Sequence, residues 1–172
     1  VLRAATGVTN AVDVYGGTLT AVNVTIADSP GYGIWMGGGT ATLKHAIIWG
    51  NSAGGVGGPS AGSLSATYSD IQDGVLSGTG NRSADPLFAD NVYFHLYSRS
   101  GFYSGFFDGG TWIRTRIAGY GDASPAIDVG DPGADCSLEP FYRGNIINLG
   151  AYGYTSVASK AYRPEAAVLI LR

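Results

Sequence analysis

The sequence predicts an all-β solenoid, and three observations support this prediction. The segment from Ala11 to Ser29 recurs as Gly33 to Asn51, which begins 22 residues later. Each copy contains short runs of alternating apolar residues, as strands require, and neither contains a helical pattern of helical length. The 28 glycines among 172 residues supply many tight turns. A repeat of this length indicates stacked supersecondary units.

Among solenoids, the repeat favours a right-handed parallel β-helix with about 22 residues per coil. Helical solenoids are excluded because Val, Ile and Thr dominate the apolar runs, and their branched side chains favour strands. The leucine-rich pattern, the calcium-binding nonapeptide and a hexapeptide period are all missing from the sequence. In the predicted fold, each coil stacks its strands on those of the next coil.

Residues 1–90 are predicted to form the β-helix coils. When the copies are aligned, Val12 falls on Ile34 and Thr20 falls on Thr42. The second half of the repeat occurs a third time, so that Asn23, His45 and Tyr68 occupy one register position. A glycine-rich loop over 53–62 and a longer polar loop over 75–90 connect the later strands.

Residues 91–172 are predicted to complete the same domain with C-terminal coils, an irregular cap and a tail. The repeat decays over 91–122, where aromatic residues are interleaved with glycine and serine. Terminal repeats of solenoids are expected to be atypical, so this stretch is predicted to close the end of the β-helix. The tail, from Tyr162 onward, is predicted to add a last strand or to cover the open end.

Charge and hydropathy exclude some partners. The net charge is −3 and charged residues make up 13% of the chain, so no basic stripe is present to bind nucleic acid. No apolar run is long enough to span a membrane. Residues 1–10 are expected to belong to a coil and not to a cap. We therefore expect upstream coils or a second copy of the chain at the N-terminal edge.

Several segments resemble a known family. They are SLSATYSDIQDG, GNRSADPLF, FHLYSRSG, SPAIDVGDP and EPFYRGNIINLGAYGYTSVASK. Together, over about residues 40–160, they resemble the C-terminal end of secreted bacterial right-handed β-helix repeat proteins of the pectate-lyase-like superfamily. The resemblance implies a secreted or cell-surface location and a polysaccharide-rich setting. Ala126 replaces a frequent cysteine of that pattern, and Tyr154 replaces its usual glycine.

The resemblance also raises the possibility of Ca²⁺, which needs several oxygen ligands at once. Asp70 and Asp73 flank Ile71 on one strand, and Asp128 and Asp131 lie in a second acidic turn. These four carboxylates are the candidate metal ligands. Aspartate at the end of a strand more often accepts hydrogen bonds from a turn, and this structural role is the favoured interpretation.

Candidate sugar-binding residues lie in the aromatic stretch. Tyr103, Trp112 and Tyr120 are predicted to stack on sugar rings, and the equally weighted alternative is a hydrophobic plug. Arg114 and Arg116 alternate along one predicted strand, where they would bind a uronate carboxylate or simply form a solvated face.

Both histidines are predicted to have structural roles. Lys44 and His45 are adjacent, so they are predicted to face opposite sides of one strand. His45 is predicted to join a polar ladder with Asn23 and Tyr68, and His95 to pack among aromatic rings.

Three functions follow. The favoured one is a non-catalytic β-helix module of a secreted or cell-surface bacterial protein that binds polysaccharide or a surface glycan. The first alternative is the C-terminal part of a polysaccharide lyase or glycoside hydrolase, whose catalytic site would lie upstream. The second alternative is a structural module that assembles through its N-terminal edge. Because one fold hosts many functions, the sequence leaves the enzymatic question open.

Overall fold

The computed structural model describes residues 1–5, 7–106, 109–141 and 144–162, and these residues form an all-β structure. The predicted tail lies almost wholly outside them. Nine strands form three parallel sheets, and two further strands form an antiparallel hairpin. The strands are β1 Val12–Val14, β2 Thr18–Val22, β3 Thr25–Ala27, β4 Tyr32–Met36, β5 Thr40–Lys44, β6 Ile47–Trp49, β7 Gly54–Gly57, β8 Leu64–Thr67, β9 Asp70–Ile71, β10 Phe102–Ser104 and β11 Thr111–Ile113.

The three parallel sheets have the orders β1–β4–β7, β2–β5–β8 and β3–β6–β9. Consecutive strands therefore form three rungs: rung 1 is β1–β3, rung 2 is β4–β6 and rung 3 is β7–β9. This solenoid-like arrangement is consistent with the predicted parallel β-helix. The predicted register is confirmed, since Val12 pairs with Ile34 and Thr20 pairs with Thr42.

The chain turns from the second sheet to the third at the corner column, which we define as Asn23, His45 and Tyr68. All three residues have positive φ, at 51°, 54° and 47°. Asparagine and histidine tolerate this left-handed conformation better than most residues. The turn also corrects one prediction. Lys44 and His45 do not face opposite sides of a strand, because β5 ends at Lys44 and both side chains reach the same loop residue, Asp131.

The core lies inside the rungs. Its most buried members are apolar residues of rung 2, including Ile34, Met36, Leu43 and Ile48. Leu76, from the loop after rung 3, packs against the same cluster. The backbone amide of Tyr68, in rung 3, donates to the carbonyl of Thr79 in this loop. The backbone hydrogen bonding between successive rungs therefore continues beyond rung 3. Residues 74–83 therefore cover the end of the core.

The C-terminal segment, defined as residues 84–106, 109–141 and 144–162, packs against the side of the solenoid. The sequence predicted an end cap here, and the structure differs. Outward residues of the third sheet, Thr25, Ile47 and Asp70, are only 0–1% exposed. Ile47 clusters with residues of the segment such as Leu96 and Leu149. The physical reason is that an outward isoleucine needs an apolar cover.

Aromatic packing organises the interior of the C-terminal segment. His95 stacks on Tyr152 with ring centroids 3.6 Å apart and lies 5.8 Å from Tyr103. The prediction that His95 packs among aromatic rings is therefore confirmed. Burial lowers the pKa of His95. In the part of the chain that the structure describes, no helix is long and apolar enough to cross a membrane.

Candidate functional site

A cleft of about 300 Å³ lies where the corner column meets the C-terminal segment. One wall comes from the carboxyl ends of β2 and β5 and the residues that follow them, and the other comes from loops of the C-terminal segment. The lining residues are Val22, Asn23, Lys44, His45, Ala134, Asp135, Ile147 and Tyr154. The cleft is open to solvent and combines three apolar side chains with several polar ones.

His45 holds the two walls together. Its Nε2 atom accepts a hydrogen bond from the backbone amide of Asp131 at 3.0 Å, so Nε2 carries no proton. Its Nδ1 atom then donates to Oδ1 of Asn23 at 3.0 Å. Burial lowers the pKa of His45, the positive charge of Lys44 lowers it further, and Asp131 partly offsets both. His45 is therefore a neutral structural contact, as the polar-ladder prediction expected.

Lys44 and Asp131 form an ion pair at the edge of the cleft, with Nζ 2.7 Å from Oδ2. The other carboxylate oxygen of Asp131 accepts from the amide of Gly133 at 2.9 Å. The hydrogen bond from Lys44 is the main cause of the lowered pKa of Asp131, and the bond from Gly133 contributes. The positive charge of Lys44 is therefore already matched by a carboxylate.

Tyr154 supplies the aromatic surface of the cleft and is 40% exposed. Its hydroxyl donates to Oδ2 of Asp135 at 3.1 Å, and this bond raises the pKa of Tyr154. Its backbone amide donates to Glu139 at 3.0 Å. The φ of Tyr154 is 60°, a conformation that glycine adopts without strain. A tyrosine ring is therefore presented from a left-handed backbone position, which favours glycine.

The four predicted metal ligands each accept a backbone hydrogen bond. The donors are the amides of Ala84 for Asp70, Gly55 for Asp73, Gly144 for Asp128 and Gly133 for Asp131. Only the bond from Gly133 to Asp131 lies within a turn, and the other three carboxylates bind amides that are 14 to 18 residues away in the chain. Within the described ranges, no group of three or more His, Cys, Asp or Glu residues could hold a metal ion.

Asp70 differs from the other three because it is fully buried. Its Oδ1 atom accepts from Ala84 at 3.0 Å, while its Oδ2 atom has no hydrogen-bond partner. Burial raises the pKa of Asp70 to about 6. Asp70 therefore lies on the seam between rung 3 and the C-terminal segment, and no surface of the cleft includes it.

The predicted aromatic binding residues lie away from the cleft, around the hairpin β10–β11. Tyr103 is buried and pairs with Trp112 across the hairpin, with ring centroids 5.6 Å apart. Trp112 is 38% exposed, and Nζ of Lys160 lies 4.3 Å from its ring centroid. The hydroxyl of Tyr120 donates to the carbonyl of Phe88 at 3.0 Å. Tyr103 and Tyr120 thus contribute to packing, and sugar binding by the three residues stays a prediction.

Arg114 and Arg116 follow β11 and are exposed. Since β11 ends at Ile113, the predicted strand face that would align them does not extend to either residue. Uronate binding by this pair is still a prediction, and the two side chains do not line the cleft.

Sequence reasoning missed Val22, Asp135 and Tyr154 as members of one site. Their proximity depends on the lateral docking of the C-terminal segment, which brings together residues far apart in the chain. For example, Nδ2 of Asn23 donates to the carbonyl of Gly153, 130 residues away, at 2.9 Å.

Comparisons with protein-family models, curated proteins and solved structures gave no match to this chain.

Proposed function

We propose that this chain is a glycan-binding module and that its binding site is the cleft. The observation that supports this proposal is the exposed ring of Tyr154, which lines the cleft together with the polar side chains of Lys44 and Asp135 and the apolar side chains of Val22 and Ile147. Aromatic rings stack on the C–H faces of sugars, and nearby polar groups bind sugar hydroxyls. A volume of about 300 Å³ is at the small end for ligand sites, which suits one sugar unit of a longer chain.

The proposed activity is binding without catalysis. A general base needs a nitrogen or oxygen that is available to take a proton from the substrate. Both nitrogens of His45 are already hydrogen-bonded, and Lys44 is paired with Asp131. We extend the proposal to a right-handed coil of about 22 residues, of the pectate-lyase-like type, in a secreted or cell-surface bacterial protein. That part rests on the resemblance of the quoted segments.

The test is a binding screen against pectin, alginate and neutral polysaccharides by affinity gel electrophoresis, with Tyr154→Gly as the main variant. Glycine removes the ring and suits the positive φ, so the variant is expected to fold. We expect affinity to fall roughly two- to tenfold, since stacking on one ring contributes about 0.5–1.5 kcal/mol. Tyr15→Ala is the matched control, because Tyr15 is exposed on rung 1 and does not line the cleft.

Trp112→Ala separates the cleft from the hairpin surface. Binding that survives Tyr154→Gly but is lost in Trp112→Ala would move the site to the predicted aromatic residues. A screen in which the unmodified chain binds no polysaccharide would reject the proposed function.

A further inference from the structure

A second surface adjoins the cleft. The outward side chains of β2, β5 and β8 form a hydroxyl face, which we define as Thr18, Thr20, Thr40, Thr42, Ser65 and Thr67. Thr18 pairs with Thr40, and Thr42 pairs with both Thr20 and Ser65. In parallel sheets such residues are spaced about 4.8 Å across the strands and about 6.6 Å along them. Neighbouring hydroxyls also bind each other, since Oγ1 of Thr18 lies 3.2 Å from Oγ1 of Thr40 and Oγ1 of Thr42 lies 3.4 Å from Oγ of Ser65. Because a hydroxyl has one donor and two acceptor sites, each can still bind a ligand.

The hydroxyl face continues into the cleft. Val22 and Lys44 lie at the carboxyl ends of β2 and β5, in the same outward row as Thr67, and both line the cleft. From Thr18 to Val22 the strand covers about 13 Å. A polymer with one unit beside Tyr154 would therefore pass over several of the hydroxyls.

The charged side chains of this joined surface are Lys44 and, in the cleft, Asp135. Lys44 is the only charged residue in β2, β5 and β8. Its Nζ atom is 2.7 Å from the carboxylate of Asp131, and that carboxylate is also held by Gly133. A sugar carboxylate beside Lys44 would also meet the negative charge of Asp131, whereas an uncharged sugar can accept a hydrogen bond from a remaining ammonium proton without that repulsion.

We propose, resting on the proposed function of the cleft, that the cleft and the hydroxyl face together bind an uncharged polysaccharide chain. Asp131 is then a specificity-determining residue. It pairs with Lys44, the one cationic side chain of this surface, and so disfavours the binding of uronates. The hydroxyl face extends the site by hydrogen bonds to successive sugar units.

The selectivity is tested with two pairs of polymers, each sharing a backbone and differing in charge. They are polygalacturonan with and without methyl esterification, and hydroxyethyl and carboxymethyl cellulose. We expect the unmodified chain to bind the uncharged member of at least one pair about tenfold more tightly. Asp131→Asn keeps an oxygen for Gly133 but releases Lys44, so it is expected to raise affinity for the charged member about tenfold. The uncharged member should bind Asp131→Asn as it binds the unmodified chain.

Three results would overturn the selectivity, the role of Asp131 or the glycan-binding function. A preference for the charged polymers that disappears in Tyr154→Gly overturns the selectivity but keeps the glycan-binding function. An unchanged preference in Asp131→Asn removes Asp131 as its determinant. Binding to no member of either pair overturns both the selectivity and the function at this cleft.

The hydroxyl face has its own test, a Thr20→Val, Thr42→Val double variant. Valine keeps the strand preference and removes two hydroxyls. We expect affinity for the six-unit oligosaccharide of the preferred backbone to fall about three- to tenfold, with unchanged affinity for its two-unit oligosaccharide. Thr111→Val, on the separate hairpin, is the control and should change neither value. Equal affinities of the double variant and the unmodified chain for the long oligosaccharide would remove this face from the site.

Discussion

The rungs and the C-terminal segment are held together in different ways. In the rungs, each strand pairs with its equivalent in the next rung through backbone hydrogen bonds, as Val12 pairs with Ile34. In the C-terminal segment, single side chains bond to distant backbone groups, as Nδ2 of Asn148 donates to the carbonyl of Ser159 at 2.7 Å. Spacing alone specifies the first arrangement. The second depends on individual residues, each with its own partner, and should be more sensitive to substitution.

Asn148→Ala should show the largest effect. Asn148 is 1% exposed, and its side chain also accepts from the amide of Asp128 at 2.9 Å. The substitution removes both bonds in a buried place, so we expect a loss of about 4 kcal/mol in the free energy of unfolding. Urea unfolding measures it. The control in the rungs is Ile34→Val, which should cost about 1 kcal/mol. A larger loss in Ile34→Val than in Asn148→Ala would reverse the comparison.

Asp70→Asn tests the seam between the two regions. The pKa of Asp70 is about 6 in the folded chain, above its ordinary value of 3.8, so the folded state binds this proton more tightly. This contribution to stability is present at pH 4 and is lost as the pH rises through about 6. At pH 7, we expect Asp70→Asn to stabilise the chain by up to about 3 kcal/mol, and at pH 4 by little. Urea unfolding at both pH values gives the comparison, and equal effects would contradict the assignment.

His45→Asn tests the contact that joins the corner column to the cleft loop. Because the pKa of His45 is lowered on folding, the unfolded chain takes up this proton first. Stability should therefore fall as the pH drops below about 6.5, the ordinary histidine value. The backbone amide of Asp131 donates to Nε2 of His45, and the amide of Gly150 donates to its carbonyl at 2.8 Å. We expect the exchange protection of both amides to drop several-fold between pH 7 and pH 5. In His45→Asn, which suits the positive φ as Asn23 does, this pH dependence should vanish.

Tyr154→Gly is expected to have the smallest effect on stability. It removes the hydrogen bond to Asp135 but relieves the left-handed conformation of Tyr154. We expect the thermal unfolding midpoint to move by no more than about 3 °C. Tyr154→Val, with a branched side chain at the same φ, should lower the midpoint more. If Tyr154→Gly lowered the midpoint as much as Tyr154→Val does, the left-handed backbone conformation would not explain the effect of valine.

The same contrast explains how much the sequence could predict. The register of the rungs was predictable because repeated spacing carries it. A local pattern also indicates the lateral position of the C-terminal segment. Ile47 and Ile48 are adjacent in β6, so one of them must face outward, and an outward isoleucine needs a cover; both are buried in the structure. By contrast, β5 alternates apolar and polar residues and is exposed on its outer face. The cleft had no such signal, because docking alone brings Tyr154 close to Lys44.

A repeat array can lengthen or shorten by duplication or loss of one unit, since each unit contacts only its neighbours. Here the lateral segment limits that freedom. It bonds to Asn23 in rung 1 through Gly153, to His45 in rung 2 through Asp131, and to Asp70 in rung 3 through Ala84. Each rung is matched to a different part of the segment, so an inserted rung would shift every later contact out of place. We therefore expect an insertion or deletion of a rung between rung 1 and rung 3 to break this set of contacts.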